Sequence, residues 1–205
     1  MNRKCSFTSC WCPAVRGSGA YYSFRYACEK LKVIYFDIPK NASTSIRRSL
    51  FGESEAASLV KPQLCAEDYF KFTFVRDPFA RAVSNYLMFT KQPYRIKQMQ
   101  EFEPNPQDMS FLDFLKFTIK IDNHHWQPQS EYIPEMKLDF IGRVENFKED
   151  FNFVCDQLGH EQKGGTHLNQ TSTGTYVDYY DADSLAIVSQ KYAEDIKRFD
   201  YRFEG

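Results

Sequence analysis

Lys32-Val-Ile-Tyr-Phe-Asp-Ile-Pro-Lys-Asn-Ala-Ser-Thr-Ser-Ile-Arg-Arg48 reads as a short apolar strand, a tight polar loop carrying one lysine, and the first turn of a helix. That order builds an anion cradle. The first backbone N–H groups of a helix point outward without intrahelical partners and carry partial positive charge. Ser43, Thr44 and Ser45 add hydroxyl donors and Lys40 adds a full charge, so a phosphate is the expected guest. The loop departs from the nucleotide-binding pattern G-x-x-x-x-G-K-[ST]. No glycine lies between Lys32 and Phe51, and Lys40 stands ahead of the hydroxyl cluster instead of directly before one Ser or Thr. The residues point to phosphate but away from an ordinary ATPase or GTPase.

A second segment repeats the theme. Tyr69-Phe-Lys-Phe-Thr-Phe-Val75 alternates and is rich in aromatic and β-branched residues, which predicts a strand. Arg76 ends it, Asp77 suits an N-cap, and Pro78 suits the first helical position. Phe79, Val83, Tyr86 and Leu87 then recur at helical spacing. Ser84 falls about two turns into that helix. An arginine at a strand end and a hydroxyl on the next helix suit a second phosphate.

Together these residues resemble a known family. Asp37-Ile-Pro-Lys-Asn-Ala-Ser-Thr-Ser45 is similar to the 5′-phosphosulfate loop of sulfotransferases that use 3′-phosphoadenosine 5′-phosphosulfate (PAPS). Phe72-Thr-Phe-Val-Arg-Asp-Pro-Phe-Ala-Arg-Ala-Val-Ser-Asn-Tyr86 is similar to their 3′-phosphate motif. Three downstream segments resemble the carbohydrate-type branch, sulfotransferase family 2: Trp126-Gln-Pro-Gln-Ser-Glu-Tyr-Ile133, Leu138-Asp-Phe-Ile-Gly-Arg-Val-Glu-Asn146, and Tyr192-Ala-Glu-Asp-Ile-Lys-Arg-Phe-Asp-Tyr-Arg-Phe203. The resemblance implies a P-loop-like sulfotransferase fold and transfer of a sulfuryl group from PAPS to an acceptor hydroxyl, with a carbohydrate as acceptor and PAP as product. Lys40 is then catalytic, stabilising charge on the leaving phosphate. Lys40, Asn41, Ala42, Ser43, Thr44, Ser45 and Ile46 hold the 5′-phosphate, and Arg76 and Ser84 hold the 3′-phosphate. No metal is needed on this mechanism. Two alternatives stand beside it: a P-loop-type nucleotide kinase or NTPase, disfavoured by the missing G-K-[ST], and a catalytically inactive module that binds PAP.

An acceptor hydroxyl needs a base. No histidine lies between Lys40 and Arg76, where many relatives place a base, and Glu53, Glu55, Glu67 and Asp68 read as solvated. Asp122-Asn-His-His-Trp126 resembles the Asp-x-His-Trp segment of carbohydrate sulfotransferases. It makes His125 the candidate base ahead of His124, against the competing reading of a hydrogen-bonded structural histidine. By resemblance, His167 positions a loop against the nucleotide. Trp126, Tyr132, Phe102 and Tyr94 are candidates for a sugar platform, with core packing the competing reading.

The chain's 205 residues suffice for one domain with a sizeable core. A net charge of −1 gives no sign of a nucleic-acid binder. Lys40, Arg47, Arg48, Arg76 and Arg81 supply local positive charge, although Arg47, Arg48 and Arg81 also fit a solvated helix face. No apolar run is long enough to span a membrane and the first residues lack the apolar core of a signal peptide, so a cytoplasmic enzyme is expected. Cys5, Cys10 and Cys12 lack zinc-site spacing, and reduced thiols are expected throughout.

Strands alternating with helices predict a single α/β domain over residues 31–205, with a mainly parallel sheet flanked by helices and ligands at the C-terminal strand ends. Residues 1–30 are expected as irregular chain, or a hairpin, packed on the core. A helix is expected over 43–51 and residues 92–109 as a loop or lid. Ser110 is expected to cap a helix, 140–144 to form a third strand, and Gly159 to stop the helix begun near Phe147. One last helix is expected over 183–199. Oligomeric state is not legible.

Overall fold

β3 (Val33–Asp37) and β4 (Phe70–Val75) lie side by side and parallel, with Val33 opposite Phe70 and Tyr35 opposite Phe72. The computed structural model describes residues 10–14, 21–51, 68–133, 137–161 and 175–205. Its sheet has five strands in the order β1 (Cys10–Ala14), β2 (Tyr21–Cys28), β3, β4 and β5 (Phe140–Arg143). β3, β4 and β5 are parallel, while β1 and β2 add an antiparallel pair beside β3. The chain thus has the α/β class expected, and its parallel strands are those that carry the two motifs. Of the two readings of residues 1–30, irregular chain or a hairpin, the described residues take the second, an antiparallel pair of strands. Tyr21-Tyr-Ser-Phe-Arg-Tyr-Ala-Cys28 is rich in aromatics suited to a pleated surface, and it pairs the backbone groups of β3 that would otherwise face no neighbour.

Two compact units can be distinguished. The first comprises residues 1–75 and 131–170. Here α1 (Ser43–Phe51) and α5 (Phe147–Gln157) cover one sheet face. Ile46, Leu50, Phe51, Phe147, Phe151 and Val154 pack on Val33, Tyr35, Phe72 and Phe74. Period-two alternation puts Ile34 and Phe36 on the opposite face, with Ala27 and Tyr69. Gly159, at φ +55°, ends the α5 segment in the left-handed conformation that favours glycine. The expected elements at 43–51, 70–75 and 140–143 appear within a residue or two.

The second unit comprises residues 76–130 and 171–205 and is helical. α2 (Pro78–Lys91) starts as the sequence predicts: the Asp77 carboxylate accepts the Phe79 N–H at 2.7 Å and Pro78 takes the first position. Ser110 caps α4 (Phe111–Lys120) by accepting the Asp113 N–H. The core joins Phe79, Val83, Tyr86 and Phe89 to Phe111, Phe114, Leu115, Val188 and Tyr192.

Two expectations are corrected here. Residues 92–109 are not a plain loop: α3 (Pro93–Met99) and a 3-10 turn at Pro106–Asp108 occupy them. Pro93 opens that helix instead of merely ending the previous one, because proline is favoured in a first helical turn. The last helix is two, α6 (Ala182–Lys191) and α7 (Ala193–Arg198). Tyr192 leaves helical geometry at φ −111° and ψ 25°, and its hydroxyl donates to the Trp126 carbonyl at 3.0 Å. Tertiary hydrogen bonding interrupts a run whose apolar spacing is continuous. Of the connection to the second strand expected over 53–68, residues 53–67 lie outside the described residues.

Gly142 in β5 has no room for a side chain. A Cβ there would come within 2.6 Å of the buried Phe74 ring. Gly142→Ala is therefore expected to destabilise the protein by about 1–3 kcal/mol, as overpacking does. Denaturant unfolding midpoints check this, and an unchanged midpoint would refute the packing assigned to β5.

Candidate active site

The loop after β3 is built without glycine yet takes left-handed backbone at two positions. Lys40 has φ +74° and Ala42 has φ +61°. Each non-glycine residue held there costs on the order of 1–2 kcal/mol, a strain typical of binding loops. The Asn41 side chain, fully buried, donates to the Phe74 carbonyl at 2.7 Å and fastens the loop to β4. The first helical bond of α1 runs from Ile46 N–H to the Ala42 carbonyl at 3.1 Å. The N–H groups of Ala42, Ser43, Thr44 and Ser45 have no acceptor among the described residues. Four such donors at the start of a helix have the chemistry that suits an anion.

The three hydroxyls do not share one role. Ser43 turns inward, and its Oγ donates to Asp37, with the Ile38 carbonyl 3.0 Å away. Its proton is committed to the protein, so the expectation that Ser43 lends a side-chain donor to a ligand narrows to its backbone N–H. Thr44 and Ser45 make no side-chain hydrogen bond among the described residues.

Beneath the loop, Asp37 is buried and collects Ser43, the Tyr35 hydroxyl at 3.3 Å and Arg47 Nε at 3.9 Å. Arg47 also donates to the Tyr26 hydroxyl at 3.2 Å and stacks on that ring. Burial pushes the Asp37 carboxyl up from its ordinary value, against the lowering effects of Ser43, Arg47 and Tyr35. Arg47 is thus a partner of the cluster, whereas Arg48 is exposed as a solvated face requires.

In the second unit, Arg76 is partly exposed, and Gln129 holds its backbone at both the N–H and the carbonyl. Ser84 is buried, and its hydroxyl has no partner among the described residues. Arg81 corrects the expectation of a solvated helix face. It is 1% exposed and donates to the carbonyls of Gln127 at 2.8 Å and His125 at 3.1 Å. A guanidinium with several donors can tie consecutive carbonyls, which a sequence-level helical wheel does not reveal.

His125 is buried in the 3-10 turn His124–Trp126. Asn123 Oδ1 accepts the His125 backbone N–H at 3.0 Å and lies 2.8 Å from Nδ1. An oxygen already accepting one bond fixes Nδ1 as the protonated nitrogen, leaving Nε2 to take a proton. The ring is therefore held structurally, and that hold selects the tautomer a base needs. The His124 ring lies against it, tilted by 42° with centroids 4.0 Å apart, and burial, with Arg95, pushes the His124 pKa down.

The four aromatics do not form one platform. Trp126 and Tyr132 are buried core residues, while Tyr94 and Phe102 are exposed. Trp126 spends its indole N–H on the Ile121 carbonyl. Asp68 is exposed and pairs with Lys32 at 3.5 Å. His167, Glu53, Glu55 and Glu67 lie outside the described residues. Sequence reasoning missed Gln129, Asp195 and Asp37 as organisers; each stands inside or beside a quoted motif, but a buried acceptor has no periodic signature.

Asp37 gives a sign-definite pH prediction. A carboxyl whose folded pKa is raised contributes most when protonated, and that contribution is lost as pH rises from about 4 through the folded pKa. The thermal midpoint of Asp37→Asn minus that of the wild type should therefore grow with pH over this window and then level off. A difference independent of pH would contradict the buried, ionisable Asp37.

Comparisons with known proteins agree with this geometry. A family model described as the sulfotransferase family matches residues 25–202. Carbohydrate sulfotransferase 14 of Danio rerio is 26% identical over 152 residues, 62% of this chain and 40% of its own length. Its Mus musculus counterpart is 30% identical over 108 residues, covering 44% of this chain and 29% of its own. An uncharacterized protein of Archaeoglobus fulgidus is 27% identical over 112 residues, 54% of this chain and 84% of its own. The chain thus spans well under half the length of these two carbohydrate sulfotransferases. No solved structure matches. With the model covering both phosphate motifs and the downstream segments, the chain belongs to the sulfotransferase family.

Proposed function

We propose that the protein transfers the sulfuryl group of PAPS to a carbohydrate hydroxyl and releases PAP. The observation that carries this reading is the strained loop at residues 40–45, whose four backbone donors lack acceptors among the described residues, in a chain matched by the sulfotransferase family model. The relatives named carbohydrate sulfotransferase 14 support the acceptor class.

In the reaction the bond from sulfur to the phosphate oxygen breaks, and a bond from sulfur to the acceptor oxygen forms. The acceptor proton passes to a base, and the 5′-phosphate of PAP gains negative charge. Asn41 to Ile46 hold that phosphate, the Thr44 and Ser45 hydroxyls add to the backbone donors, and Lys40 neutralises the developing charge. Arg76 and Ser84 hold the 3′-phosphate, a group that ATP-like donors lack. His125 takes the acceptor proton at Nε2, with Nδ1 held by Asn123.

Lys40→Ala is expected to lower turnover by roughly two orders of magnitude or more while the fold persists, the loss found when one such electrostatic contact is removed. Steady-state rates with labelled PAPS measure this, and near-normal turnover would remove Lys40 from its role. Arg76→Ala is expected to weaken PAP far more than adenosine 5′-phosphosulfate, which lacks the 3′-phosphate. Equal losses for the two ligands in calorimetric titrations would refute the assignment of Arg76.

A further inference from the structure

Arg76 is the residue expected to read the 3′-phosphate, and its backbone is held in an unusual way. Residues that follow a strand end normally leave the ladder and satisfy their backbone groups with water or a turn. Here a side chain takes the place of a neighbouring strand. Gln129 Oε1 accepts the Arg76 N–H at 2.9 Å, and Gln129 Nε2 donates to the Arg76 carbonyl at 2.7 Å. A primary amide offers one donor and one acceptor side by side, as these two bonds require. Gln129 is fully buried, so neither bond competes with water.

The amide is itself anchored. Asp195 of α7, also fully buried, accepts the Gln129 N–H at 2.6 Å with one carboxylate oxygen and the Ser130 N–H at 2.8 Å with the other. Immediately upstream, the carbonyls of His125, Trp126 and Gln127 are taken by Arg81, Tyr192 and Arg81 again, and Asn85 adds a second bond to His125. The segment from 125 to 130 thus has its polar backbone fixed by side chains from α2, from Tyr192 and from α7. These bonds leave the position of the Gln129 amide, and with it the Arg76 backbone, little freedom. An apolar side chain at 129 would fill the same space but leave the Arg76 N–H and carbonyl without these two bonds, so the buried amide does more than fill space. It sets where the Arg76 side chain starts.

We propose that Gln129, held by Asp195, is a positioning residue for Arg76, and that it sets the protein's preference for ligands carrying a 3′-phosphate. The inference rests on the reading of Arg76 given under Proposed function. A guanidinium reads a phosphate by directional, paired bonds, so a small displacement of its backbone costs more than charge alone would suggest.

The test compares PAP with adenosine 5′-phosphate by calorimetric titration, the affinity ratio being the contribution of the 3′-phosphate. Wild type, Gln129→Leu, Arg76→Ala and the double variant are measured, each first shown folded by thermal melting. Gln129→Leu is expected to reduce the ratio about tenfold, equivalent to about 1.4 kcal/mol, with adenosine 5′-phosphate affinity nearly unchanged. The double variant should fall no further than Arg76→Ala alone, because both substitutions remove one function. If Gln129→Leu does not fold, the isosteric Asp195→Asn, which removes one of the two acceptors, carries the same comparison with a smaller drop in the ratio. Parallel weakening of both ligands would mark Gln129 as merely structural and overturn the proposal. A ratio that falls in Arg76→Ala but not in the Gln129 or Asp195 variant would overturn this inference alone. A ratio unchanged in Arg76→Ala would overturn the reading of Arg76 and this inference with it.

Discussion

The buried Arg81 guanidinium is the interaction on which the second unit depends. It lies on α2 and donates to the carbonyls of His125 and Gln127. Each hydrogen bond to a charged group contributes about 1.5–3 kcal/mol, more than a neutral pair. Without it the His125 carbonyl would keep Asn85 but the buried Gln127 carbonyl would lose its guanidinium donor, which is costly in a protein interior. Once the turn is fixed, three consequences follow. Asn123 locks the His125 ring, Gln129 reaches the Arg76 backbone, and Asp195 finds the two N–H groups that complete the segment. Candidate base and candidate phosphate arginine are thus organised by one polar network.

The first unit solves a different problem. A phosphate loop usually relies on glycine to reach left-handed backbone; the loop after β3 does so with Lys40 and Ala42. The strain is opposed by contacts on both sides of the loop. Asn41 is fastened to the end of β4, and Ser43 is fastened to Asp37. The chemistry of the loop follows from this. Side-chain bonds that hold the loop face inward, and backbone N–H groups are left to face a ligand. The inward commitment of Ser43 explains why a cluster of three hydroxyls need not supply three ligand contacts.

Much of this was legible in the residues. The strand, loop and helix from 32 to 51 were readable because an apolar run, a proline-containing turn and helical spacing succeed one another without ambiguity. Asp77 and Pro78 announced α2, and Ser110 announced α4, since caps are local signals. Lys40, Arg76 and Ser84 were singled out as candidates from motif order. What escaped was non-local. The burial of Arg81 depends on carbonyls more than forty residues away in the chain. The break at Tyr192 depends on Trp126, and the pairing of Gln129 with Arg76 on a turn that no periodicity marks. A hairpin was one of the two readings of residues 1–30, but its pairing with β3 is a non-local contact that composition alone does not state. No helix among the described residues is long and apolar enough to cross a membrane.

Amide hydrogen exchange, followed with and without saturating PAP, tests the central claim that donors for the ligand are left open while the residues around them are locked from within. The N–H groups of Ser43, Thr44 and Ser45 should exchange quickly in the free protein and slow on PAP binding. Those of Arg76, Gln129 and Ser130, already bonded to buried side chains, should be slow in both states. Loop amides that PAP leaves unprotected, or fast exchange at 76, 129 and 130, would contradict the account.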